Sequence, residues 1–121
     1  MRRKLVGGSS TRDKKQGNSN LKNQFVMSTY IILSKISPDA LRKPDDFRKM
    51  ADTVKSKIRE ECPDVEWKDS YAVKGQFDVV DVVESADPGQ VDKASMIIRS
   101  HGRSDTQTMQ ASPWKEFLQS I

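Results

Sequence analysis

The chain has 121 residues, enough for one domain of ordinary size, and is 35% hydrophobic and 31% charged. No apolar run approaches the roughly 20 residues of a membrane span. The net charge of +4 divides unevenly: residues 1–26 hold seven Lys/Arg and one Asp, whereas residues 27–121 hold 14 Lys/Arg and 16 Asp/Glu. Nucleic-acid-binding domains carry positive charge on the folded surface, so this mildly acidic part is not expected to bind nucleic acid.

Residues 1–26 open with Met1-Arg2-Arg3-Lys4 and continue as a Gly/Ser/Thr/Asn/Gln-rich stretch with little to bury. They are expected to be a disordered basic tail without the apolar core of a secretory signal. Met27-Ser28-Thr29-Tyr30 reads like a natural start, and residues 27–121 are expected to form the folded domain. A first strand is predicted from Thr29 to Ile36, apolar on both faces and therefore central. A helix from about Pro44 to Glu61 follows, with Asp45 and Asp46 at the positive end of its dipole. Phe47, Met50, Val54 and Ile58 make its buried stripe; Arg48, Lys49, Asp52, Lys55 and Arg59 make its solvated face.

Val65 to Val73 is predicted as a second strand, with Trp67 and Tyr71 on one face and Glu66, Lys68 and Ser70 on the other. A Lys74-Gly75-Gln76 turn, with positive φ available at Gly75, leads into a third strand over Phe77 to Glu84. Asp87 caps a second helix, Pro88 takes its first turn and Gly102 ends it. Its inner stripe is Val91, Ala94 and Ile98, with Ser95 between them. Ser104 to Ala111 is a Thr-rich edge strand. Pro113 starts a short helix packed through Trp114, Phe117 and Leu118.

This order is α+β: a ferredoxin-like βαββαβ with an antiparallel sheet, two helices on one face and a short C-terminal helix. The second sheet face has no cover of its own. Two strands are apolar on both sides, so the expected solution is self-association into a homodimer or larger assembly, sheet against sheet.

Three segments carry a family pattern: the Thr29-Tyr30-Ile31 strand, the Gly75-Gln76-Phe77-Asp78 turn, and Val83-Glu84 followed by the Asp87 helix start. From Thr29 to Phe117 the chain resembles a GYD domain protein. The ending Thr108-Met109-Gln110-Ala111-Ser112-Pro113-Trp114, then Phe117, is similar to a longer subset of that family. Phe77 stands where the family's eponymous tyrosine lies. The resemblance implies a ferredoxin-like fold and an α/β-barrel type dimer, and it implies no reaction.

Two aspartates are placed among the valines before Asp87. Asp78 is expected to accept from backbone N–H groups near Gly75. Asp81, sharing a face with Phe77, Val79 and Val83, needs a partner or a raised pKa; Lys35, Lys74, Arg99, His101 and Arg103 are the candidates. Catalytic candidates are Asp81 and His101, the latter also placed to serve the negative end of its helix. Ligand-binding candidates are Trp67, Tyr71, Asp78 and Trp114, with core packing the competing role for the aromatics. His101, Cys62 and Asp105 have no recognised ligand spacing, so no metal is expected, and no motif calls for a cofactor. The single cysteine, Cys62, suits a reducing cytoplasm. The leading expectation is an oligomeric structural or small-molecule-binding module. The rivals are a cofactor-free dimeric α/β-barrel enzyme on a small organic substrate and a weak nucleic-acid binder acting through the basic tail.

Overall fold

The computed structural model describes residues 26–121 apart from Arg42. The basic segment of residues 1–26, expected to be disordered, lies outside the described residues except for Val26. Seven main elements follow in order: β1 (Ser28–Ile36), α1 (Pro44–Glu61), β2 (Val65–Ala72), β3 (Val79–Ser85), α2 (Pro88–His101), β4 (Ser104–Ala111) and α3 (Trp114–Ser120). The sheet order is β2-β3-β1-β4, with every neighbouring pair antiparallel. This is the ferredoxin-like arrangement, and it puts β1 and β3 at the centre and the polar β4 at an edge.

Alternation along the central strands sorts their side chains. Tyr30, Ile32, Ser34 and Ile36 of β1, with Asp81, Val83 and Ser85 of β3, are buried on the covered face. Helix α2 presses Val91, Ala94, Ser95, Ile97 and Ile98 into the interior. Ile58 and Cys62 complete the core. At the start of α2, Asp87 accepts from Gly89 and Gln90 N–H groups, which closes two of the donors a helix leaves open.

The hairpin between β2 and β3 is longer than the sequence suggests. Val73 N–H donates to the Asp78 carbonyl at 2.9 Å, and Gly75 adopts φ of 120° inside that loop. Strand β3 therefore begins at Val79, not at Phe77. Asp78 N–H donates to the Ser34 carbonyl, and its Oδ2 accepts from Ile36 N–H at 2.8 Å. The expected structural role holds, but the donor is in β1 and not in the Gly75 turn.

Strand β2 departs from strict alternation. Trp67 pairs with Val83 and Asp69 with Val82, so Lys68 is an extra residue, a bulge. Beyond it the faces exchange: Ser70 lies opposite Asp81 on the covered side, and Tyr71 lies opposite Val80 on the open side. The expectation that Trp67 and Tyr71 share a face is overturned by that one residue. Two packing expectations also change. Of the α1 stripe, Ile58 alone is buried. No residue of α3 is buried, and Trp114 is 71% exposed while its ring stacks on Phe117 at 5.7 Å.

A Cβ at Gly75 would meet nothing within 4 Å, so replacement strains the backbone alone. Gly75→Ala should cost about 1–3 kcal/mol. The check is a lower urea midpoint with an unchanged slope; an unmoved midpoint would show that the loop does not require the positive φ.

Candidate functional site

Helix α1 is anchored to the core at its C-terminal end, through Ile58 and the buried Cys62 that caps it. Its N-terminal half does not close onto the sheet. The gap is a half-open cleft of about 710 Å³ between α1 and the covered sheet face. Phe47, Met50 and Val54 line the helix side; Ile36, Val79 and Trp67 line the sheet side. Exposed Lys55, Arg59 and Lys68 also border it. Volume and apolar walls suit a small organic molecule.

The sheet beneath the cleft is polar at two buried points. Asp81 is 7% exposed and Ser34 is 3% exposed. Asp81 Oδ1 accepts from Ser70 Oγ at 2.5 Å and from Trp67 Nε1 at 3.2 Å. Trp67 Nε1 also donates to Ser70 Oγ at 3.0 Å. Asp81 Oδ2 has no partner among the described residues, yet it is not sealed from solvent. Ser34 Oγ is buried without a hydrogen-bond partner among the described residues. A buried hydroxyl left in that state forfeits about 1–3 kcal/mol.

Burial raises the Asp81 pKa, and the bonds from Ser70 and Trp67 pull it down without cancelling the rise. None of the five expected cationic partners pairs with Asp81: neutral donors hold it instead. Of the two outcomes expected for Asp81, a charged partner among Lys35, Lys74, Arg99, His101 and Arg103 is not found, and a raised pKa is.

Of the six site candidates, the cleft gathers Asp81 and Trp67. His101 ends α2, exposed and outside the cleft, so the two candidate bases are not brought together. Tyr71 is 54% exposed on the open sheet face. Asp78 is committed to β1, and Trp114 stands in the exposed α3. Sequence reasoning missed Ser34 and put Ser70 on one face with Glu66 and Lys68; Ser70 is exposed, as expected, but lies opposite Asp81. Lys55 and Arg59 are exposed, as expected for the solvated face of α1, and also border the cleft. Ser34 was detectable as a hydroxyl amid an apolar strand; the Ser70 position depended on the bulge. Cys62 is fully buried, and loss of solvent raises its thiol pKa more than the neighbouring Glu61 and Asp87 do. Among the described residues no cluster of three His, Cys, Asp or Glu is placed to hold a metal, and no helix is long and apolar enough to cross a membrane.

The GYD domain pattern matches residues 30–121, and the chain belongs to that family. No curated protein matches it by sequence. Among solved structures it is similar to the Mycobacterium tuberculosis leucine response regulatory protein, with a TM-score of 0.50 and 14% identity over 90% of this chain and 62% of that one. It is similar also to the M. tuberculosis feast or famine regulatory protein complexed with L-methionine, with a TM-score of 0.50 and 13% identity over 84% and 58%. The chain thus spans less than two thirds of either regulator, and the likeness is one of fold.

A raised folded-state pKa means the native protein binds the Asp81 proton more tightly than the unfolded chain does. The contribution of Asp81 is therefore most favourable at low pH and is lost as pH rises from the ordinary carboxylate value near 4 through the folded value. Asp81→Asn should flatten that decline. Urea midpoints of both proteins at pH 4 and pH 7 measure it, and an equal decline in the two would refute a desolvated Asp81.

Proposed function

We propose that residues 27–121 form a small-molecule-binding module that works as a homodimer or larger assembly, with the α1–sheet cleft as its binding site. The observation that carries this reading is Ser34: its buried hydroxyl has no hydrogen-bond partner among the described residues and borders a cleft whose walls are largely apolar. Hydroxyls are rarely buried without a partner, and an incoming ligand supplies one. The fold's likeness to a regulator solved with L-methionine supports a ligand-binding role. A lone, buried Cys62 suits a cytoplasmic setting.

Self-association is supported by the open sheet face. Its centre is Ile31, Leu33, Val80 and Val82, flanked by Tyr71 and Met109. Thr29, Lys35, Glu84 and Asp105 occupy its ends. A contiguous apolar patch with polar margins is the usual form of a protein contact.

Ala51 lines the cleft from an exposed turn of α1, so a large side chain there fills the space without crowding the core. Ala51→Trp should weaken binding of the neutral fluorophore N-phenyl-1-naphthylamine by about tenfold or more, the loss of a well-buried apolar contact. Circular dichroism controls for folding. Equal binding by both proteins would put the apolar site elsewhere. For assembly, Val82 tests the open face and Val79, which points into the cleft, does not. Val82→Glu should shift the sedimentation coefficient to that of the monomer. An unaltered oligomer, or a monomeric parent, would remove the sheet-face contact.

A further inference from the structure

The two acceptors beneath the cleft lie close together. Ile32 pairs with Asp81, and Ser34 pairs with Val79. Ser34 and Asp81 are thus diagonal neighbours on one face of adjacent antiparallel strands, with backbones about 7–8 Å apart. That separation lets one small group bond to both side chains. Asp81 Oδ2 and Ser34 Oγ each lack a partner among the described residues. Asp81 Oδ1 is already satisfied by Ser70 and Trp67, which holds the carboxylate in a fixed orientation. The site is preorganised, and what it lacks is a donor.

We propose that the cleft recognises a small molecule with an apolar body and a protonated amine head, the head bonding to Asp81 Oδ2 and Ser34 Oγ. The proposal rests on the cleft being the binding site, and it specifies the ligand's chemistry. An ammonium group brings three donors and a positive charge. Two donors meet the two open acceptors, and the third points toward the solvent opening. The charge supplies a counter-ion, since among the described residues Asp81 is held by the neutral donors Ser70 and Trp67 and by no ion pair. A carboxylate head would set like charge against Asp81. An alcohol has one donor, and its bond to the carboxylate has only one charged partner, where the ammonium bond has two. The apolar body lies against Phe47, Met50 and Val54, which α1 leaves half-exposed. Lys55 and Arg59 stand on α1 at the border of the cleft and form no ion pair among the described residues. They face the outer part of the ligand, where a second cation is disfavoured.

The test is competition against N-phenyl-1-naphthylamine by three probes of matched length: 4-phenylbutylamine, 4-phenylbutanol and 4-phenylbutanoate. On the full chain at neutral pH the amine should displace the fluorophore at about tenfold lower concentration than either analogue, the advantage of a charge-assisted bond. In Asp81→Asn the ratio between amine and alcohol should fall to about one. In Ser34→Ala, which removes a hydroxyl that bonds to nothing among the described residues, the amine should lose a few-fold of its advantage. Equal competition by all three probes, preference for the carboxylate, or an amine preference that survives Asp81→Asn would each overturn the proposal while fluorophore binding keeps the cleft as the site. Absence of fluorophore binding, or binding indifferent to Ala51→Trp, would instead defeat the cleft itself.

Discussion

Asp78 gives its carbonyl to Val73, its N–H to Ser34 and its carboxylate to Ile36. The register of the two central strands hangs on those bonds. Slipping β3 by one residue against β1 would exchange its faces, sending Asp81 and Ser85 to the open side and Val80 and Val82 inward. The carboxylate stands in for a backbone carbonyl at the point where the strand begins, so the ladder continues past the irregular hairpin. Everything built on the covered face, from the Val83–Ile32 core to the cleft, inherits that register.

The cleft arises from an imbalance between two helices. Helix α2 is short, apolar on its inner side and capped by Asp87, and it lies flat on the sheet. Helix α1 is longer, starts without a side-chain cap at Lys43 and holds to the core mainly by its last two turns. Burying Phe47 and Met50 as well would add stability at about 25 cal/mol per Å² of apolar surface. Closing α1 would also seal the Asp81 carboxylate further from water. Desolvation of that charge opposes closure, and the helix stands off from the polar part of the sheet.

Much of the architecture was legible in the chain. Doubly apolar strands announced the centre of the sheet, Pro44 and Asp87-Pro88 announced the helix starts, and Gly75 marked the backbone position that needs positive φ. What was not legible depended on a single residue or on absence of packing. The bulge at Lys68 inverts the parity of β2, and nothing in the local alternation of Val65 to Ala72 signals it. A period of 3.6 shows which face of α1 is apolar, but not whether the sheet reaches that face. The same holds for Trp114, Phe117 and Leu118, which share a side of α3 that the described fold leaves exposed. The candidate site was half visible: Asp81 stood out as a carboxylate in an apolar strand, whereas its partners came from β2 through the displaced register.

That bulge bears also on how copies of the molecule can meet. Strand β2 is an outer strand of the sheet, and outer strands present unpaired backbone groups that invite another chain to extend the sheet indefinitely. Here the edge is kinked at Lys68 and carries Glu66, Lys68 and Asp69 side by side, a ridge of alternating charge on a bent ribbon. A strand of that shape is a poor template for fibre growth. At this edge, addition of a further strand along the hydrogen-bonding direction is disfavoured, whereas the apolar patch centred on Val80 and Val82 lies on the flat side of the sheet.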